Sequence, residues 1–174
     1  MSECVVICLL HTFCDASKMP YTAAVFARYE CSTCVQVQLI QAKTRVPPVK
    51  TITIPRLELL AATIGTRLAT SIVKELEQKD ITLSFWGDSS TVISWIKRDG
   101  QWGLFCVEPS AGDKRADFER ILATCTGVMN PADLPSRGCT VPQLLRLCGG
   151  RDPSGLNILL KTGLPENHSQ MRRL

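Results

Sequence analysis

Residues 4–14 read CVVICLLHTFC, a nearly continuous apolar run that suits a strand buried on both faces. YTAAVFARYE and CVQVQLIQAK follow, the second alternating apolar with polar residues, so the pattern predicts a three-strand meander. A basic, proline-marked link, TRVPPVKTITIP, leads into the longest periodic stretch. From about Pro55 to Gln78, Leu57, Leu60, Ile64, Leu68, Ile72 and Leu76 recur at three- and four-residue steps, which predicts a helix with Pro55 in its first turn. Beside that stripe run Glu58, Ala61, Ala62, Gly65 and Ala69. Small side chains let a helix lie close to a sheet, so Glu58 is expected near the sheet surface.

ITLSFWGD reads as a fourth strand and SSTVISWIKR as a helix capped by Ser89 or Ser90. Beyond Trp102 the periodicity weakens, although KRADFERILA passes for a short helix. NPADLPSRG reads as a turn into a helix, with Asn130 as cap, Pro131 at the first position and Asp133 in the first turn, where the helix dipole favours an anion. Three meandering strands, a helix, a strand and a helix make an α/β layer with a mixed sheet and a central first strand. Asp15 and Asp88 are then expected to close adjacent strands.

Length and composition bound this picture. The chain has 174 residues, enough for one domain with a proper core, and a formal charge of +4, which permits a polyanionic partner without requiring one. The nine cysteines are odd in number and mostly set in apolar runs, which suits reduced thiols and an intracellular site better than a disulfide scaffold. Cys31 and Cys34 form a lone CxxC, short of the four ligands of a structural zinc site. No run approaches the ~20 apolar residues of a membrane helix.

Taken singly, Asp15 and Asp88 read as turn or cap residues, Glu58 as a surface helix residue, and Asp133 as a helix-start anion. Taken together, two acids at strand ends, one on the close-packed side of the long helix and one at a late helix start can converge on one end of the sheet. Four such carboxylates repel one another unless hard cations bind between them. Magnesium suits oxygen ligands, with manganese as an alternative, so the set describes a two-metal phosphoryl-transfer site. No Ser–His–Asp arrangement competes, because His11 and His168 are the only histidines and His11 lies in an apolar strand. Trp86, Trp95 and Trp102 read as core residues before base-stacking platforms.

HTFCDASKMPYTAAVFARYE, VQLIQAKTRVPPVKTITIPRLELLAATIGTRLA, FWGDSSTVISWI and NPADLPSRG together resemble the ribonuclease H domain of BEL/Pao-type retrotransposon polyproteins. The resemblance is dense from about Leu10 to Trp102 and again from Val128 to Leu147. It implies a ribonuclease H-like mixed sheet flanked by helices, with Asp15, Glu58, Asp88 and Asp133 as the acidic metal-binding and catalytic set. The implied reaction is magnesium-dependent endonucleolytic cleavage of RNA paired with DNA, leaving a 5′-phosphate and a 3′-hydroxyl. Such a protein must find 2′-hydroxyls through a wide minor groove, and Lys43, Arg45, Lys50 and Arg56 are candidates for phosphate contacts.

One stretch departs from the family. Between Phe105 and Gly127 its fifth-strand words are missing, as is a loop histidine upstream of the last acid, whose place falls around Cys125. Back-translated from one nucleotide later, 105–127 permits SVWNRQREIRELTSNASWRHVPG; the residues after Leu147, read from the third nucleotide of each codon, permit WWQGPLWAEYPAENWP, as out-of-frame translation of both segments would give. Both are similar to the family's missing words. The expected organisation is therefore a ribonuclease H-like domain over 1–147, degenerate at 105–127 with its fifth strand disrupted, and an irregular tail over 148–174. The rival to an active nuclease is a catalytically dead remnant that at most binds nucleic acid weakly.

Overall fold

A computed structural model of the chain describes residues 7–18, 20–31, 34–47, 52–76, 81–98, 120–125 and 129–143. Five strands among them form one sheet in the order β3-β2-β1-β4-β5. The predicted meander is β1 (Ile7–Ala16), β2 (Tyr21–Cys31) and β3 (Cys34–Arg45), paired antiparallel. β4 (Ile81–Gly87) lies parallel to β1 on its other side, so β1 is central, as the pattern requires. Its side chains from Leu10 to Asp15 are buried whichever face they point to, the signature of a strand covered on both sides.

The long helix α1 spans Ile54–Leu76, close to its predicted bounds. The Thr53 carbonyl accepts from the amides of Arg56 and Leu57 at 3.0 and 3.1 Å, and Pro55, which has no amide hydrogen, sits within that first turn at no loss. Leu57, Leu68 and Ile72 are buried, each contributing roughly 1.5–3 kcal/mol of apolar transfer. The small stripe behaves as its sizes dictate, with Ala61, Gly65 and Ala69 buried against the sheet. One core forms under α1 from Leu10, Val25, Leu83 and Phe85; Phe13, Phe26 and Trp86 build a second on the opposite face.

α2 (Ser90–Arg98) begins as a capped helix: Ser89 Oγ accepts from the Val92 amide at 3.3 Å, and its carbonyl from Ile93 at 3.1 Å. Trp86 is core, stacked 6.1 Å from Phe13, whereas Trp95 is 41% exposed, contrary to its core reading; Trp102 lies outside the described residues.

Two expectations change beyond α2. The fifth strand is present: β5 (Arg120–Thr124) pairs in parallel with β4 from Leu83↔Arg120 to Gly87↔Thr124. Residues 120–123 are therefore strand and not the helix that KRADFERILA suggested, because the open edge of β4 offers a ladder that outweighs a weak local helix preference. The rest of 105–127, apart from Cys125, and the tail over 148–174 lie outside the described residues. The helix α3 spans Asp133–Arg137 and starts two residues later than Pro131. Asn130 caps the preceding turn instead: its Oδ1 accepts from the Ala132 amide at 3.1 Å, and its carbonyl from Asp133 at 3.0 Å.

Candidate active site

The parallel register of β1 and β4 aligns two of the acids. Phe13 pairs with Trp86, and two residues further along each strand stand Asp15 and Asp88. Asp15 is 5% exposed, while Asp88, just past the end of β4, is open to solvent.

Glu58 reaches the same end of the sheet by way of α1. Gly65 sits directly over Cys14, Thr12 and Ala23, and Ala61 packs with Cys14 and Ala23. The helix therefore crosses β1 with its N-terminal turns toward Asp15, and Glu58 lies one turn before Ala61. Its half-buried carboxylate accepts a hydrogen bond from the Ser89 hydroxyl and feels the charge of Asp88. Asp133 arrives on α3, which is tied to the β1 end: Ser136 Oγ, fully buried, donates to Asp15 Oδ2. Arg137 Nε stands 2.5 Å from Asp133 Oδ1.

The acids sense one another. Burial pushes the Asp15 carboxyl up to about 6; the charges of Asp88 and Asp133 push the same way, while the Ser136 hydrogen bond and Arg137 oppose them. Glu58 is raised too, by burial first and by Asp88, against the pull of Ser89. Such mutual repulsion among oxygen donors is what a hard divalent cation relieves, so the chemistry of the set fits magnesium. Among the described residues no three of these side chains stand close enough to share one ion. Magnesium asks for less, since it keeps several waters and takes one or two carboxylates along with substrate phosphates.

Of the basic residues, Lys43, Arg45 and Arg56 are exposed, and Lys50 lies outside the described residues. A bulge decides where the first two point. The β2–β3 register shifts between Val25 and Phe26, pairing Phe26 with Leu39 but Val25 with Gln41, so Ile40 is extra. Beyond it Lys43 pairs with Ala23 and Arg45 with Tyr21, on the α1 face. One extra residue thus moves both cations to the side that carries Glu58.

One participant, Ser136, escapes a sequence reading, and another, Cys125, is marked there only as the place of the expected histidine. Ser136 is one polar letter in NPADLPSRG, and only its distance from the NPAD turn hints at a partner beyond it. Cys125 follows β5, its amide donating to the Gly87 carbonyl at 3.0 Å, and its thiol is pushed up to about 12 by burial first and then by Asp88 and Asp15. His11 is structural, as its apolar strand suggests: Trp86 Nε1 donates to its Nδ1 at 3.2 Å, and burial, with Arg28, lowers its pKa to about 4.

The chain is similar to the Thermus thermophilus RuvC structure, at 7% sequence identity and a TM-score of 0.37, with 95% of this chain and 99% of that chain covered. No curated protein matches it. A family model, the Pao retrotransposon-like RNaseH-like domain, matches residues 5–89, a stretch that includes Asp15, Glu58 and Asp88 and ends before Asp133. Residues 5–89, just under half of the chain, are thus similar to the Pao retrotransposon-like RNaseH-like domain.

Proposed function

We propose that the domain is a ribonuclease H-type endonuclease that cleaves the RNA strand of an RNA/DNA hybrid with magnesium, or manganese in its place. The observation that carries this reading is the convergence of Asp15, Glu58 and Asp88, with Asp133 beside Asp15, from four separate segments at one end of the sheet. Asp15 and Asp88, on adjacent strands, would hold the ions, with Glu58 and Asp133 completing the set from the two flanking helices. When bound, the ions supply an activated water and neutralise charge on the leaving oxygen. By holding the ions the carboxylates would fix where the scissile phosphate sits, while Lys43, Arg45 and Arg56 would engage neighbouring phosphates and keep the duplex in register. Choice of hybrid over duplex DNA then rests on the 2′-hydroxyls of one strand.

Cys125 favours a second reading. The resemblance leads one to expect a histidine in this loop, and a thiol raised to about 12 stays protonated at neutral pH and offers no base there. That substitution suits a remnant that still binds hybrid but turns over little or not at all. Purified chain with an end-labelled hybrid and magnesium separates the two readings. Cleavage that disappears in Asp88→Asn supports the endonuclease; binding without cleavage supports the remnant; neither binding nor cleavage sinks both.

A further inference from the structure

The segment bearing Asp133 is fastened to the end of β1 by side chains outside the acidic set. Asn130, 3% exposed, donates from Nδ2 to the Cys14 carbonyl at 3.0 Å. The Ser136 hydroxyl donates to Asp15 Oδ2. Ser17, just beyond β1, donates in turn to the Ser136 carbonyl at 2.5 Å. Between these ties Ala132, fully buried, joins the core of Phe13, Phe26 and Trp86. The loop therefore grips β1 at Cys14, Asp15 and Ser17, and the middle grip is on the carboxylate itself.

A buried carboxylate among like charges has every reason to rotate away from them. A hydrogen bond to one of its oxygens from a donor that is itself held by its backbone sets the rotation about the Cβ–Cγ bond. We propose that Ser136 is a positioning residue: its hydroxyl orients the Asp15 carboxylate, and with its carbonyl held by Ser17, alongside the separate tie from Asn130 to Cys14, it fixes the place of Asp133 relative to Asp15. The consequence for metal binding rests on the reading of the acids as a metal site; the orientation of Asp15 does not.

Two measurements test it separately. In the metal-free protein, side-chain carbon NMR of Asp15 should report one rotamer in the wild type and averaging in Ser136→Ala. An Asp15 rotamer indifferent to that change overturns the proposal. Manganese affinity, read by paramagnetic resonance, should fall about 10–100-fold in Ser136→Ala, the usual effect of removing a partner that orients a ligand. A wild-type affinity in that variant also overturns it. Should Ser136→Ala fail to fold, Ser17→Ala loosens the same clasp without touching Asp15; it should broaden the Asp15 rotamer distribution and weaken manganese binding by a smaller factor, and no change in either overturns the proposal. If the wild type binds no manganese while its Asp15 rotamer still depends on Ser136, the metal reading fails and the positioning role stands.

Discussion

Gly65 of α1 lies so close to Cys14 of β1 that a Cβ added to the glycine would stand 2.5 Å from the cysteine sulfur and 3.0 Å from Thr12 Cγ2. Neither neighbour is free to retreat, since both belong to the central strand of the sheet. This contact sets how deeply the helix seats, and so where Glu58 sits relative to Asp88.

Gly65→Ala should therefore destabilise the domain, even though alanine is the better helix former by about 1 kcal/mol. Overpacking of about 1–3 kcal/mol outweighs that gain. Cys14→Ala removes the nearest obstacle, so the double variant should recover part of the loss, and a denaturant double-mutant cycle measures the coupling. Strict additivity would show that the two residues do not press on one another.

Asp15 makes the domain's stability depend on pH in an unusual direction. Its folded pKa, about 6, lies above the ordinary 3.8, so its contribution is fully present below 3.8 and is lost as pH rises through about 6. His11 works the other way: lowered from 6.5 to about 4 by burial and by Arg28, it supports the fold above 6.5 and is lost as pH falls through about 4. The two slopes offset each other across that window. Asp15→Asn should then gain on the order of 2 kcal/mol over the wild type above pH 6, and its stability should climb steadily from pH 4 to 6.5. Urea melts across this range decide the matter; parallel profiles for the two proteins would contradict it.

Cys125 reports on the charge of the site. Its thiol is held up by burial and then by Asp88 and Asp15, so alkylation by iodoacetamide at pH 8 should be far slower than that of a free thiol. Asp88→Asn removes one of the negative neighbours and should quicken the reaction roughly a few-fold, since each unit of pKa is about tenfold in thiolate. Peptide mapping by mass spectrometry follows this cysteine apart from the others. Equal rates in the two proteins would place Asp88 too far away to matter.

Much of this arrangement is legible in the sequence because it rests on local pattern. The unbroken apolar run before Asp15, the alternation of β3 and the small stripe containing Gly65 each announce one element and one face. Glu58 is placed near the sheet by that stripe alone. What escapes is nonlocal: β5 forms because β4 presents an open edge, and nothing within Arg120–Thr124 outweighs the helical look of its neighbours. The bulge at Ile40 leaves only a faint trace, the adjacent apolar pair Leu39–Ile40 at which the alternation of CVQVQLIQAK changes phase, yet it decides which face Lys43 and Arg45 occupy. Ser136 meets Asp15 across 121 positions of chain, a separation that no window of residues spans.

On the proposed reading, Asp15, Glu58, Asp88 and Asp133 divide divalent cations between them. A thermal melt of the whole chain at increasing manganese concentration tests it most directly, because a ligand that binds only the folded state stabilises it by about 2.7 kcal/mol at a hundred times its dissociation constant. The melting temperature of the wild type should rise with manganese, while that of Asp15→Asn/Asp88→Asn should stay where it is. A wild type that ignores the ion, or a double variant that gains as much, would contradict the account.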